Sequence, residues 1–289
     1  MGGWNTSDIP DQTGRIVIVT GATSGLGEAT ARALAAAGAH VIMACRNEVK
    51  AQAVARTISG TVQIRPLDLA DLASVRAFAA GVERADVLVN NAGVMAVPKQ
   101  RTVDGFELQI GTNYLGHFAL TGLLLDRISE RVVNTSSLTH LIGRIDLEDL
   151  NWERRAYSRF GAYAQSKLAL LLFTYELQRR LTLTGSPVLA VAAHPGYAAT
   201  EISSETQNLL EQIIGLGNRL VAQSAEMGAL PTLYAATAEV EPGGYYGPDR
   251  FNWRGHPTRV GSTAASHDEK TARQLWELSE RLTGVEFGI

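Results

Sequence analysis

The stretch Tyr163-Ala164-Gln165-Ser166-Lys167 sets a tyrosine and a lysine four residues apart inside an apolar run. A free phenol has a pKa near ~10 and is a poor acid or base at neutral pH. On a helix, residues at i and i+4 share a face. The Lys167 charge would then favour the phenolate and lower that pKa. Such a pair could pass a proton to or from a substrate oxygen. The spacing alone is weak, because tyrosine and lysine meet at i,i+4 by chance in many helices.

A second group of residues could hold an anion. Thr20-Gly21-Ala22-Thr23-Ser24-Gly25-Leu26-Gly27 follows an apolar run and opens a helical pattern. Glycines at 21, 25 and 27 let the backbone turn tightly and approach a pyrophosphate seated on the positive helix N-terminus. The spacing G-x-x-x-G-x-G differs from the commoner dinucleotide fingerprint G-x-G-x-x-G, and a ligand-free strand–helix turn is the competing reading. The next apolar run ends in Ala44-Cys45-Arg46-Asn47. It has no acid to accept from the 2′-hydroxyl of NAD, and it has an arginine able to pair with a 2′-phosphate. NADP(H) is therefore expected over NAD(H), the alternative being that Arg46 is a solvated loop residue.

The elements that must carry these residues alternate. Apolar runs at Arg15–Thr20, His40–Ala44, Thr61–Arg65, Asp86–Asn90, Arg131–Thr135 and Pro187–Ala193 read as buried strands, with a short seventh near Gly244–Tyr246. Helical patterns lie between them: Gly25–Ala37, Asn47–Ile58, Asp71–Glu83, a long one over Gly105–Glu130, and Arg159–Leu181 around Tyr163. Strands apolar on both faces and separated by helices imply a parallel sheet covered on both sides. The right-handed crossover rule makes it a doubly wound (Rossmann) α/β sheet, mostly parallel and seven-stranded, in one domain over residues 1–289. Glu201–Gln223 is helix-like, and Pro231 is expected to kink the following helix or mark its start.

Composition narrows the class. With 45% hydrophobic and 19% charged residues, the chain reads as an ordinary globular protein. A net charge of −3 points to neither nucleic acid nor an anionic membrane surface as partner. One cysteine, Cys45, allows no internal disulfide and no cysteine-rich metal site. The six histidines are dispersed, so no metal is expected. The polar start, Met1 to Arg15, is unlike a secretory signal, and no apolar run reaches ~18 residues. A soluble, cytoplasmic protein is the expectation.

Taken together, these residues resemble a family. The glycine pattern, Asn90-Asn91-Ala92-Gly93, Ser137, Tyr163-x-x-x-Lys167, Asn113 in Asn113-Tyr114-Leu115-Gly116-His117-Phe118, and Pro195-Gly196 with Thr200 look like a short-chain dehydrogenase/reductase. Ala44-Cys45-Arg46, Gly116-His117-Phe118, Ser136-Ser137 with His140, and His194-Pro195-Gly196 look most like its retinol-dehydrogenase-like and WW-domain-oxidoreductase-like branch. The resemblance implies that Tyr163 is the general acid or base and that Lys167 tunes it and binds the nicotinamide ribose. It implies that Ser137 hydrogen-bonds the substrate oxygen and that Asn113 bends its helix and holds a relay water. Asp68 and Leu69 would lie beside the adenine, Asn90, Ala92 and Gly93 along the adenosine, and Pro195, Gly196 and Thr200 around the carboxamide. Asp68-Leu69-Ala70-Asp71 could equally lead into and cap the next helix, with Asp71 as its N-cap, and both uses can coexist.

Two departures qualify the pattern. Ser137 precedes Tyr163 by 26 residues, about twice the usual interval, which fits the retinol-dehydrogenase-like branch. Ser136 competes with Ser137 for the catalytic role, although strand alternation would point the two opposite ways. The expected activity is NADP(H)-dependent interconversion of a carbonyl and an alcohol. The segment over about residues 200–223 would cover an apolar small-molecule substrate, with Leu209, Leu210, Ile213 and Ile214 as its apolar face unless they face the core. A homodimer or homotetramer through the helices carrying Asn113 and Tyr163 is implied, with no membrane partner. The alternative is a non-catalytic NADP-binding sensor or scaffold protein; a sugar-nucleotide epimerase would need more chain after Gly196.

Overall fold

The computed structural model describes residues 3–196 and 224–289. The expectations for Thr200, for the substrate-covering segment and for the helix-like stretch before Gln223 lie outside the described residues.

Among the described residues one eight-stranded sheet runs in the order β3-β2-β1-β4-β5-β6-β7-β8. Its strands are β1 (Ile16–Thr20), β2 (His40–Cys45), β3 (Thr61–Pro66), β4 (Ala85–Asn90), β5 (Ile128–Thr135), β6 (Leu189–Ala193), β7 (Tyr245–Arg250) and β8 (Arg254–Arg259). All neighbours pair parallel except β7 and β8. Strand order reverses between β1 and β4, which opens a crevice beyond their carboxyl ends, where doubly wound sheets bind ligands.

Side-chain alternation along β1 shows why these runs form buried strands. Ile18 joins one apolar layer with Leu88, Val132, Phe118, Phe173 and Trp276. Val17 and Val19 join the other with Val41, Val87, Leu34 and Leu230. The first layer holds α3 (Leu72–Ala80), α5 (Gly116–Leu124), α6 (Arg159–Leu183) and α8 (Glu269–Thr283). The second holds α1 (Gly25–Ala36), α2 (Glu48–Ala55) and α7 (Ala225–Thr237). Asp71, Ser158 and Asp268 accept backbone N–H bonds at the starts of α3, α6 and α8, which fixes where those helices begin.

The structure corrects three expectations and adds one helix. The sheet has eight strands, not seven. The eighth, Arg254-Gly255-His256-Pro257-Thr258-Arg259, is polar and contains a proline, tolerable because it lies at the sheet edge. The long helix over Gly105–Glu130 is interrupted and shorter. It comprises α4 (Leu108–Ile110), a π-helical turn (Gly111–Leu115), α5 and a 3₁₀ turn (Leu125–Arg127), while Ile128–Glu130 belong to β5. Glu107 accepts from the Gln109 and Ile110 N–H groups and so starts that run later than Gly105. α7 starts well before Pro231, capped by Ser224, and passes through the proline. α8, absent from the sequence reading, buries Ala272, Leu275 and Trp276 and ends on left-handed Gly284 (φ 61°).

Candidate active site

α6 carries Tyr163 and Lys167 past the carboxyl end of β5. The Lys167 side chain is buried, and its Nζ donates to the Thr135 carbonyl at 2.8 Å. It lies 5.6 Å from the Tyr163 ring centre. Burial pushes the Tyr163 phenol up to about 12, with the Ser137 hydroxyl drawing it the other way. Burial pulls Lys167 down to about 8. The expected lowering of the phenol by Lys167 is therefore not what this structure shows. Desolvation outweighs the Ser137 hydrogen bond at the phenol and disfavours the ionised form of each group.

The two adjacent serines differ in their hydrogen bonds. Ser136 Oγ is buried and donates to the Lys167 carbonyl at 2.9 Å, so it serves the helix. Ser137 is half-buried; its Oγ accepts from Thr139 N at 3.2 Å and faces Tyr163.

Asn113 sits in the π-helical turn that interrupts the run between α4 and α5. Its side chain clamps Val94 in both senses: Oδ1 accepts from Val94 N at 2.8 Å, and Nδ2 donates to Val94 O at 2.9 Å. Nδ2 also donates to Ser166 Oγ at 2.9 Å, which in turn donates to the Tyr163 carbonyl at 2.7 Å. A Cβ on Gly93 would lie 3.1 Å from Asn113 Oδ1 and 3.7 Å from Lys167 Nζ. The chain after β4 thus passes directly over the Asn113–Lys167 pair.

The glycine loop lies across the crevice. Gly21 and Gly25 take positive φ (69° and 52°), a region open to glycine at little cost. A Cβ on Gly27 would sit 2.3 Å from Gly21 O and 2.5 Å from Asn91 Nδ2, so that glycine lets α1 close onto the loop. Ser24 is the N-cap of α1 but makes no side-chain capping bond. With Thr23 and Leu26 in the same half-buried turn, the first N–H groups of α1 can meet an anion. This set fits a dinucleotide pyrophosphate.

At the far end of the crevice, Arg46 is exposed and its Nη1 lies 3.9 Å from Asp68 Oδ2. Asp71, not Asp68, caps α3; Asp68 Oδ1 accepts from Ala70 N instead. Leu69 is buried, with its backbone close against Gly116. Asn90 turns its side chain inward, donating to Thr121 Oγ1 at 3.0 Å and Asn134 Oδ1 at 2.9 Å. Only its backbone can face the crevice, whereas Ala92 packs beside Gly21. After β6, half-buried Pro195 leads to Gly196 (φ 67°), where a Cβ would meet Trp253 O at 2.4 Å. That contact ties the segment to the β7–β8 hairpin.

Three histidines that the sequence offered only as cues to the family branch lie buried around this site, with contacts the sequence does not reveal. His140 Nδ1 lies 2.7 Å from the Ser137 carbonyl, His194 Nδ1 accepts from Gly196 N at 3.1 Å, and His117 contacts both Thr20 and Asn113. For His117, the i+4 spacing from Asn113 was the available signal. Among the described residues no cluster of three or more His, Cys, Asp or Glu side chains could hold a metal, and no helix is long and apolar enough to cross a membrane.

Comparison with known proteins agrees with this geometry. The short chain dehydrogenase family model matches residues 15–210. Retinol dehydrogenase 13 of Homo sapiens is 44% identical over 94% of this chain and 86% of its own length. Polyprenol dehydrogenase of Mus musculus is 42% identical over 97% of this chain and 87% of its own. The crystal structure of an uncharacterized protein from Mycobacterium paratuberculosis is 53% identical, with a TM-score of 0.89 over 99% of this chain and 100% of that one. With its phosphate loop, ordered Asn113–Ser137–Tyr163–Lys167 set and sheet topology, the chain belongs to the short-chain dehydrogenase family, in its retinol-dehydrogenase-like branch, whose members are oxidoreductases of carbonyl and alcohol groups.

Proposed function

We propose that this chain interconverts an apolar carbonyl and its alcohol using NADP(H), with Tyr163 as acid and base. The convergence of Ser137, Tyr163 and Lys167 on one point beside the glycine loop carries this reading. When bound, the nicotinamide would supply or take up the hydride. Tyr163 gives its phenolic proton to the substrate oxygen in reduction and accepts it in oxidation. Ser137 donates a hydrogen bond to the same oxygen, where negative charge develops. The Lys167 charge steadies the phenolate as the proton leaves, and Lys167 is itself fixed by the Thr135 carbonyl.

Arg46 supports the choice of NADP(H). Its guanidinium is exposed at the end of β2, where a 2′-phosphate would stand, and Asp68 lies close enough to orient it. A hydrogen bond to a charged group contributes roughly 1.5–3 kcal/mol. Arg46→Ala is therefore expected to reduce the ratio of kcat/KM for NADPH over NADH about tenfold or more. An unchanged ratio would remove the basis for preferring NADP(H). Similarity to proteins named retinol and polyprenol dehydrogenases supports an apolar substrate. The test is a panel of apolar aldehydes and ketones with NADPH. Oxidation of NADPH with at least one of them is expected, and inertness across the panel would sink the proposal.

A further inference from the structure

His117 lies on α5, one turn beyond Asn113, and is fully enclosed. Its Nε2 is 2.9 Å from Thr20 Oγ1, and its Nδ1 is 2.8 Å from the Asn113 carbonyl oxygen. The protons at both contacts follow from counting. A hydroxyl has one proton and two lone pairs. Thr20 Oγ1 already accepts from Asn91 N at 2.9 Å and from Ala92 N at 3.0 Å. Both lone pairs are taken, so Thr20 must donate to His117. Its other acceptor, the Val89 carbonyl, is more distant at 3.3 Å. Nε2 is then an acceptor and carries no proton. The proton sits on Nδ1, which donates to the Asn113 carbonyl. Burial, with the Lys167 charge acting in the same sense, pulls His117 down to about 4, which keeps the ring neutral.

We propose that His117 is a positioning residue of the reaction, a neutral imidazole protonated on Nδ1 that locks the Asn113 carbonyl to Thr20. The connection has two ends with different duties. Thr20 closes β1 and holds the backbone of Asn91 and Ala92 beside the glycine loop. Asn113 holds Val94 and Ser166 next to Lys167 and Tyr163. The imidazole therefore sets the position of the acid–base helix pair relative to the cofactor crevice.

The kinetic part of this inference rests on the proposed carbonyl–alcohol activity; the tautomer does not. The first measurement is ring ¹⁵N NMR of the full chain labelled in histidine, with His117 assigned by the signal lost in His117→Asn. A neutral ring protonated on Nδ1 is expected from about pH 8 down to about pH 5, without titration near its ordinary pKa of ~6.5. A proton on Nε2, or titration near that pKa, would overturn the inference. The second compares variants at saturating cofactor. His117→Phe should lower kcat about tenfold or more, a change of ~1.4 kcal/mol in the barrier, while the carbonyl KM stays within about twofold. His117→Asn, whose amide can place an N–H near the Nδ1 position, should recover most of that loss, and His117→Gln should not. Wild-type kcat in a folded His117→Phe protein, or equal rates for the Asn and Gln variants, would contradict it. If the wild-type chain reduces no carbonyl, the functional proposal fails and the NMR result still decides the tautomer.

Discussion

Replacing Tyr163 by phenylalanine is expected to lower turnover by about 10²–10⁴-fold, the range associated with losing a positioned general acid. The ring stays, so its packing on α6 stays; only the hydroxyl facing Ser137 is lost. Affinity for NADPH should remain within a few-fold of wild type, because the phosphate loop and Arg46 are untouched. Steady-state kinetics with titration of cofactor binding separate the two effects. A non-catalytic sensor would show no such split. Since burial holds the phenol at about 12, Tyr163 is protonated throughout the neutral range and is loaded for reduction. Oxidation of the alcohol requires the phenolate and should accelerate with rising pH. A pH-independent oxidation rate would argue against Tyr163 as the base.

Lys167 is expected to produce the second large effect, and to write it into the pH profile. Its pKa of about 8 in the folded chain lies below the ordinary lysine value of 10.5, because burial disfavours the charge. Below about pH 8 the ammonium is present and can steady the departing phenolate; above it the charge is lost. Reductive kcat should therefore be flat below about pH 8 and fall above it, and Lys167→Met should be slow at every pH with that inflection gone. Stability should follow the opposite trend. Between about pH 8 and ~10.4 the unfolded chain binds more protons at Lys167 than the native chain, so native stability gains from this group as pH rises. Below that window the buried charge costs on the order of 3 kcal/mol, partly offset by the hydrogen bond to Thr135. Lys167→Met should be at least as stable as wild type near neutral pH and lose that advantage near pH 10. Urea unfolding at the two pH values checks this, and a large loss of stability at neutral pH would contradict the assignment.

Much of this site was legible in the chain because each motif falls where a strand ends. Gly21-Ala22-Thr23-Ser24-Gly25 follows β1 and Arg46 follows β2, where strand periodicity pointed, while Ser137 after β5 and Pro195-Gly196 after β6 were legible through the family resemblance. What escaped notice has physical causes. β8 lacks apolar alternation because a sheet edge does not require it. The π turn at Asn113 leaves hydrophobic spacing nearly unchanged, so the interrupted run reads as one helix. Asn90 reads as a cofactor residue from its motif, yet its amide bridges Thr121 and Asn134 across the sheet. Ser136 and Ser137 are adjacent and chemically identical; only the bond from Ser136 to the Lys167 carbonyl separates them. At Tyr163 and Lys167 the sequence shows the neighbouring charge and hides the burial, which pushes the phenol up and the ammonium down.

The central claim, hydride exchange between a nicotinamide and a carbonyl carbon in this site, is tested most directly by isotope transfer. The purified chain would be given an apolar aldehyde and NADPH deuterated at the transferring nicotinamide carbon, with Tyr163→Phe in parallel, and the product alcohol analysed by mass spectrometry. Deuterium on the former carbonyl carbon of the alcohol, formed rapidly by wild type and hardly at all by the variant, is the expected result. Alcohol without deuterium, or equal formation by both proteins, would contradict it.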